Sequence, residues 1–347
     1  MERNYAFDGA RGLAAIAVVA YHIGHNVGLP LVPSGYLAVD FFFILSGYVI
    51  EKAYTRRLAD GLTFLEFAKA RIIRLYPLFA LGLALGLVRS LGAIAIGDHR
   101  AVDAPTLFLQ VLLNSLLLPA QIGSDGIFPL NTPAWSLSLE VAINLIFAAV
   151  LFKFPRHWLV AICFAGAIGM AVGATYFGSM DQGWNVSSYW VGVCRVTFGF
   201  TAGVLLARLN ARHSGQLAPW IPGLLVLALM MPRDWVEVRY DVLISLTAFP
   251  LMIVLMESAV INGALRQAFS FLGDLSYPIY ATHYPLLIPI GLVAKRLHHG
   301  PWSAAALMFA GTILAAIVAG KLDVLFRRKI AHKLHARFSG KLSKVSR

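Results

Sequence analysis

The stretch DGARGLAAIAVVAYHIGHN, residues 8–26, decides the class of fold. No charged residue stands between Arg11 and His22. Such a run suits hydrocarbon, and ionisable side chains placed in it are costly unless they serve a purpose. The same texture recurs along the 347 residues, of which 59% are hydrophobic and 13% charged. Soluble domains carry roughly a quarter charged residues. The chain therefore reads as an all-α, polytopic integral membrane protein. Asp8, and the lack of a basic cluster before it, argue for an uncleaved first span rather than a signal peptide.

The formal net charge of +12 does not point to nucleic acid, because the excess sits in short connectors and in the C-terminal tail. Cys163 and Cys194 lie in or near apolar runs without metal-ligand spacing, so they read as small buried hydrophobes, and no metal is expected.

Apolar windows long enough to cross fall at 12–29, 36–54, 75–97, 134–152, 158–177, 189–207, 217–235, 241–260, 277–294 and 303–320. An eleventh, TLFLQVLLNSLLLP at 106–119, is shorter than the roughly 20 residues a spanning helix needs. Loop charges decide its role. The connector 51–74 holds six basic residues against three acidic ones, and the tail from Lys321 holds nine Lys/Arg against one Asp, so both are expected in the cytoplasm. Counting inward from these two anchors agrees only if 106–119 does not cross. We therefore expect about ten spans, one short re-entrant or interfacial helix, and both termini inside. A transmembrane domain over 1–320 would be followed by a basic cytoplasmic tail over 321–347 lying on anionic headgroups. The span at 217–235 is the weakest, since Pro222 and Pro232 shorten its core. No internal repeat or pair of broken helices of the transporter kind is present.

Arg11 and His22 are eleven residues apart, about 16 Å along a helix and close to three turns, so they share a face. With Arg11 at the headgroups, His22 lies near mid-bilayer, where a neutral imidazole is a base. His25, nearer the outer end, reads as packing. Asp40, in GYLAVDFFFILSGYVI (35–50), either orients His22 or reaches the interface. Arg71 and Arg74, in RIIRLYP (71–77), share one helix face and suit phosphate, and equally suit the positive-inside signal. Glu140, in WSLSLE (135–140), lies inside a span and needs a cationic or histidine partner. In SYPIYATHYP (276–285), Tyr277 and Tyr280 suit an interfacial belt, whereas His283 is harder to dismiss.

Taken in order, FDGARG with the Arg11-to-His22 spacing, GYLAVDFFFILSGYVI, RIIRLYP, WSLSLE and the softer SYPIYATHYP make the chain resemble the membrane-bound acyltransferase 3 family from residue 7 to about 290. That family transfers acyl groups, often acetyl, to hydroxyls of sugars and other acceptors. The resemblance implies ten spans, a catalytic histidine at His22 with an essential Arg11, a donor-phosphate site at Arg71 and Arg74, and the acidic position at Glu140. Ala10 departs from the larger aliphatic residue usual there, a packing change. Some members carry a further extracytoplasmic hydrolase-like domain, for which this chain is not expected to have room.

These readings combine into one expectation. Acyl-CoA, most simply acetyl-CoA, approaches from the cytoplasm with its phosphates on Arg71, Arg74 and Arg11. His22 acts as general base on a hydroxyl of a surface glycan or lipid-linked sugar, or carries the acyl group itself, with Asp40 or Glu140 orienting it. Trp135, Tyr277 and His283 are placed with the acceptor. The setting is the cytoplasmic membrane of a bacterium, and the chain is compatible with a homo-oligomer. The competing expectation is a secondary transporter or flippase using His22, Asp40 and Glu140 as a proton relay.

Overall fold

The computed structural model describes residues 3–99, 101–209, 220–231 and 238–345, with side chains to residue 327. Among these residues there is no strand, only an isolated bridge between Gly126 and Asn185. The helices are α1 (Tyr5–Val27), α2 (Ala38–Ala59), α3 (Phe64–Ala95), α4 (Ala104–Ser115), α5 (Ala134–Ala149), α6 (Arg156–Phe177), α7 (Tyr189–Leu209), α8 (Ile221–Leu229), α9 (Val238–Leu243), α10 (Phe249–Glu257), α11 (Gly263–Arg296) and α12 (Pro301–Val345). A π-turn at Ile244–Ala248 joins α9 to α10.

Among the described residues, five helical segments are long and apolar enough to cross a membrane: Phe64–Ala95, Arg156–Phe177, Tyr189–Leu209, Val238–Glu257 and Pro301–Arg327. Their outward faces stay apolar. On α6, Val160, Phe164, Ile168 and Val172 recur every fourth residue as an exposed stripe, while Gly166, Met170 and Gly173 face inward. An apolar outer face of this kind suits lipid.

Several helices begin earlier than their apolar windows because capping, not hydropathy, sets their ends. Thr63 and Glu66 form a capping box, so α3 starts at Phe64 and carries Arg71 and Arg74 inside the helix. Likewise Asn4 caps α1, placing Arg11 in its second turn. Part of the span expected at 217–235 lies outside the described residues; what is described of it is the nine-residue α8. Helix α12 runs without a break across the boundary expected at 320, so the first residues assigned to the tail belong to the bundle.

Helix α4 has 12 residues, about 18 Å of length against a hydrocarbon core of about 30 Å. The helices on either side of it pack as an antiparallel pair. Arg71, early in α3, lies beside Glu140 in the middle of α5, whereas a Cβ on Gly86, late in α3, would meet the Leu130 carbonyl just before α5 begins. Thus α3 and α5 are antiparallel, and everything between them starts and ends on one side.

α1 and α11 are the most intimately packed pair. A Cβ on Gly12 would lie 2.4 Å from the Cβ of Leu272, and one on Gly273 would lie 2.5 Å from that of Asp8. The two helices run parallel, with Arg11 beside Gly273 and His22 beside His283. α11 contains Pro278, Pro285 and Pro289. Pro285 has no N–H, which leaves the Ala281 carbonyl without its helical donor; Asn131 Nδ2 donates to it at 2.9 Å. In this way a loop side chain locks the helix that carries His283.

Candidate active site

A cavity of about 970 Å³ opens between α1, α2, α3, α5, α11 and α12. Among the described residues, five cations line it: Arg11, Arg71, Arg74, Lys321 and Arg327. Their acidic neighbours are largely committed. Asp274 pairs with Arg3 at 2.7 Å, Asp323 pairs with Arg327, and Glu140 accepts a hydrogen bond from Ser46 Oγ at 2.8 Å.

Arg71 is 6% exposed. Its Nη2 lies 3.7 Å from Glu140 Oε1, an ion-pair distance longer than a hydrogen bond, and its Nε has no partner. Arg11 donates through Nη2 to Asp8 Oδ1 at 3.1 Å and to the Gly273 carbonyl at 3.2 Å, yet its Nε is also buried without a partner. Two guanidinium groups with unmet donors, facing one cavity, suit a multiply charged anion. The three residues expected to hold donor phosphates are therefore brought together, and α12 adds Lys321, which sequence reasoning had left in the tail.

Phe42, Ser136 and Tyr280 also line the cavity. The Tyr280 hydroxyl shares a hydrogen bond with Ser136 Oγ and reaches the Pro133 carbonyl at 3.2 Å. Tyr280 also stacks edge-on against Phe42 with centroids 5.8 Å apart, on the side of the cavity toward His283. Tyr277 is on the cavity wall and donates to the Leu75 carbonyl at 2.5 Å, tying α11 to α3. It shares that wall with Arg71 and Arg327.

Beyond Tyr280 lie two histidines. The ring of His283 is 6.0 Å from that of Tyr280 and 5.4 Å from that of His22. His283 is fully buried. Its Nδ1 donates to the carbonyls of Ile279 and Tyr280 at 3.1 and 2.9 Å, which fixes the tautomer and leaves Nε2 as an acceptor without a partner. His22 packs between Tyr21, His283 and Tyr284. His25 is exposed, with Nδ1 bonded to the Tyr21 carbonyl of its own helix.

Two sequence expectations are corrected here. Asp40 neither orients His22 nor reaches the interface: it forms a two-pronged ion pair with Arg195, Nε to Oδ1 at 2.9 Å and Nη2 to Oδ2 at 2.8 Å. Each side chain is 1% exposed. A buried guanidinium needs that carboxylate, and Arg195 donates further to the Gln182 and Tyr36 carbonyls. Trp135 is not on the cavity wall; it packs with the Arg195 guanidinium 5.4 Å from its ring centre and Phe43 against its edge. Glu140, by contrast, does face the cavity and Arg71, as its need for a partner implied. Sequence reasoning missed Arg195, Ser136 and the full role of Tyr280. Arg195 carries the one local signal that was available, an arginine in the middle of an apolar run. Among the described residues no group of three or more His, Cys, Asp or Glu side chains is placed to hold a metal.

Residues 4–321 match the acyltransferase domain of the acyltransferase 3 family. Protein 2 in the picA locus of Rhizobium radiobacter is 35% identical over 186 residues, 51% of this chain and 97% of that protein. The exopolysaccharide production protein ExoZ of Rhizobium meliloti is 24% identical over 87% of this chain and 92% of its own length. The peptidoglycan O-acetyltransferase OatA of Listeria monocytogenes is 25% identical over 90% of this chain, which spans 54% of OatA. No solved structure matches. A match over nearly the whole chain, with relatives named as acyltransferases, replaces the transporter alternative: the chain belongs to the acyltransferase 3 family of membrane acyltransferases.

Proposed function

We propose that the protein transfers an acyl group, acetyl in the simplest case, from acyl-CoA to a hydroxyl of a surface polysaccharide or lipid-linked sugar. The observation that carries this reading is the single cavity with cations at one end and a histidine pair just past the other. The names of ExoZ and OatA, an exopolysaccharide production protein and a peptidoglycan O-acetyltransferase, support a glycan acceptor.

The donor's phosphates would rest on Arg71, Arg74 and Arg11, at the end where loop charges predict the cytoplasm. Its pantetheine arm would lie along the apolar walls of Leu45, Leu75 and Leu78, bringing the thioester to Tyr280. Rotation of the Tyr280 and Phe42 rings then joins the cavity to the histidines. There His22 takes the proton of the acceptor hydroxyl as its oxygen attacks the thioester carbonyl. The new C–O bond forms, the C–S bond breaks, and the proton passes from His22 to the departing thiolate, giving an ester and CoA thiol. Positioned base catalysis of this kind is typically worth about 10² to 10⁴-fold. Glu140 balances Arg71 when the donor is absent. In this reading the membrane is the cytoplasmic one of a bacterium.

The test supplies radiolabelled acetyl-CoA to membranes with and without the protein, together with a surface-glycan fraction. Base-labile label on glycan only where the protein is present supports the reading; equal label in both sinks it.

A further inference from the structure

The structure gives His283 a specific task. We infer that His283 is the positioning residue of His22: its Nε2 accepts the N–H of the His22 ring nitrogen that does not touch the substrate. The inference rests on the reading of His22 as the base.

Three observations carry it. First, His283 is held in one tautomer by two backbone carbonyls, so its Nε2 presents a lone pair, and that atom is buried with no partner. A buried acceptor left empty is expensive, of the order of 1–3 kcal/mol, and calls for a donor. Second, the donor at hand is His22, whose ring centre lies 5.4 Å away and whose plane is inclined by 30°. Two imidazoles joined by an N–H···N bond have centres roughly 5–5.5 Å apart, given about 3 Å between nitrogens and about 1.1 Å from each nitrogen to its ring centre. A small rotation of either side chain closes that bond. Third, the carboxylates that sequence offered for this role are engaged elsewhere, Asp40 with Arg195 and Glu140 with Ser46 and Arg71. Asp181, nearer the histidines in the chain's outer loops, accepts from Tyr21 instead.

A histidine base works only when its second nitrogen is held, since the held N–H fixes the tautomer and shares the positive charge that appears on proton transfer. Here a neutral histidine does this work. His22 takes the hydroxyl proton on one nitrogen while its other N–H points into His283 Nε2. No net charge is added to the buried site before the reaction begins, unlike an ionised carboxylate, which would need its own partner.

The test uses two replacements that split the ring of His283. His283→Asn retains a donor near the Nδ1 position for the Ile279 and Tyr280 carbonyls but offers nothing at the ε position. His283→Gln offers an amide oxygen there. With the full-length protein in detergent or proteoliposomes, and equal thermal unfolding of the variants as the folding check, kcat and KM are measured for acyl transfer from acetyl-CoA. The inference expects Asn to lose about 100-fold or more in kcat with KM for acetyl-CoA within about threefold, and Gln to recover at least tenfold over Asn. Asn as active as Gln, or both equally inactive at equal stability, overturns it. His22→Ala is run alongside: if that variant transfers at the wild-type rate, the reading of His22 as base fails. If His22→Ala is inactive while His283→Asn is normal, the positioning role alone fails.

Discussion

Asp40 and Arg195, 155 residues apart in sequence, meet in a fully buried two-pronged ion pair that joins α2 to α7. Around it Trp135 from α5 and the Tyr36 and Gln182 carbonyls complete a polar knot under the outer loops. The pair braces α2, a wall of the cavity, against α7, which does not line it.

Removing one partner of such a pair strands a buried charge and costs about 3–5 kcal/mol. Asp40→Asn and Arg195→Met are each expected to lower the unfolding temperature of the purified protein by several degrees and to reduce its yield. The double variant Asp40→Leu/Arg195→Met is expected to be more stable than either single one. Activity per folded molecule should fall far less than for His22→Ala. Loss of activity in fully stable Asp40→Asn would return Asp40 to the chemistry.

Arg71 is buried with an unpartnered Nε, whereas Arg74 and Lys321 are exposed on the same cavity. A charge-assisted hydrogen bond to a buried guanidinium is worth about 1.5–3 kcal/mol, or roughly a 10- to 150-fold change in affinity. Arg71→Ala is therefore expected to raise KM for acetyl-CoA by that factor with kcat nearly unchanged. Lys321→Ala should raise it only a few-fold and in a salt-dependent way. Arg71→Lys should not restore the loss, because one ammonium cannot reproduce the planar fork. Unchanged KM in Arg71→Ala would rule out its phosphate contact.

Asn131 caps the carbonyl that Pro285 frees in α11, two residues before His283. Asn131→Leu should cost about 1–3 kcal/mol by leaving that carbonyl unmet. Adding Pro285→Ala supplies the missing helical N–H, so Asn131→Leu/Pro285→Ala should recover part of the loss. Thermal unfolding of the four members of the cycle measures the coupling; strict additivity would show that the two do not share the carbonyl.

Tyr280 lines the cavity between Ser136, Phe42 and His283. Tyr280→Ala should connect the cavity to the histidine pair permanently and admit water, raising hydrolysis of acetyl-CoA relative to transfer. The ratio of free acetate to glycan ester measures this, and an unchanged ratio would remove Tyr280 as the partition.

How much of this was legible in the sequence follows from the range of each interaction. Arg71 and Arg74 are three residues apart on one helix, so their common face was readable, as was the shared face of Arg11 and His22. Loop charges led to the expectation that 106–119 does not cross, and the antiparallel α3 and α5 place the end of one and the start of the other on the same side of the bundle. Partners brought together by tertiary packing left no such trace. Nothing local says that Asp40 belongs to Arg195, that Trp135 lies beside that guanidinium, or that Asn131 answers Pro285. Helix ends were also displaced, because apolar windows stop at charged residues whereas Thr63 and Asn4 start helices among them.

The central claim is that acyl donor bound at the cationic end reacts at His22. Its most direct test is the single-turnover transfer of label from bound acetyl-CoA to a hydroxyl acceptor by His22→Ala, compared with wild type at saturating donor. The account predicts unchanged donor affinity with transfer slowed by about 10² to 10⁴-fold. Transfer at the wild-type rate from His22→Ala would contradict it.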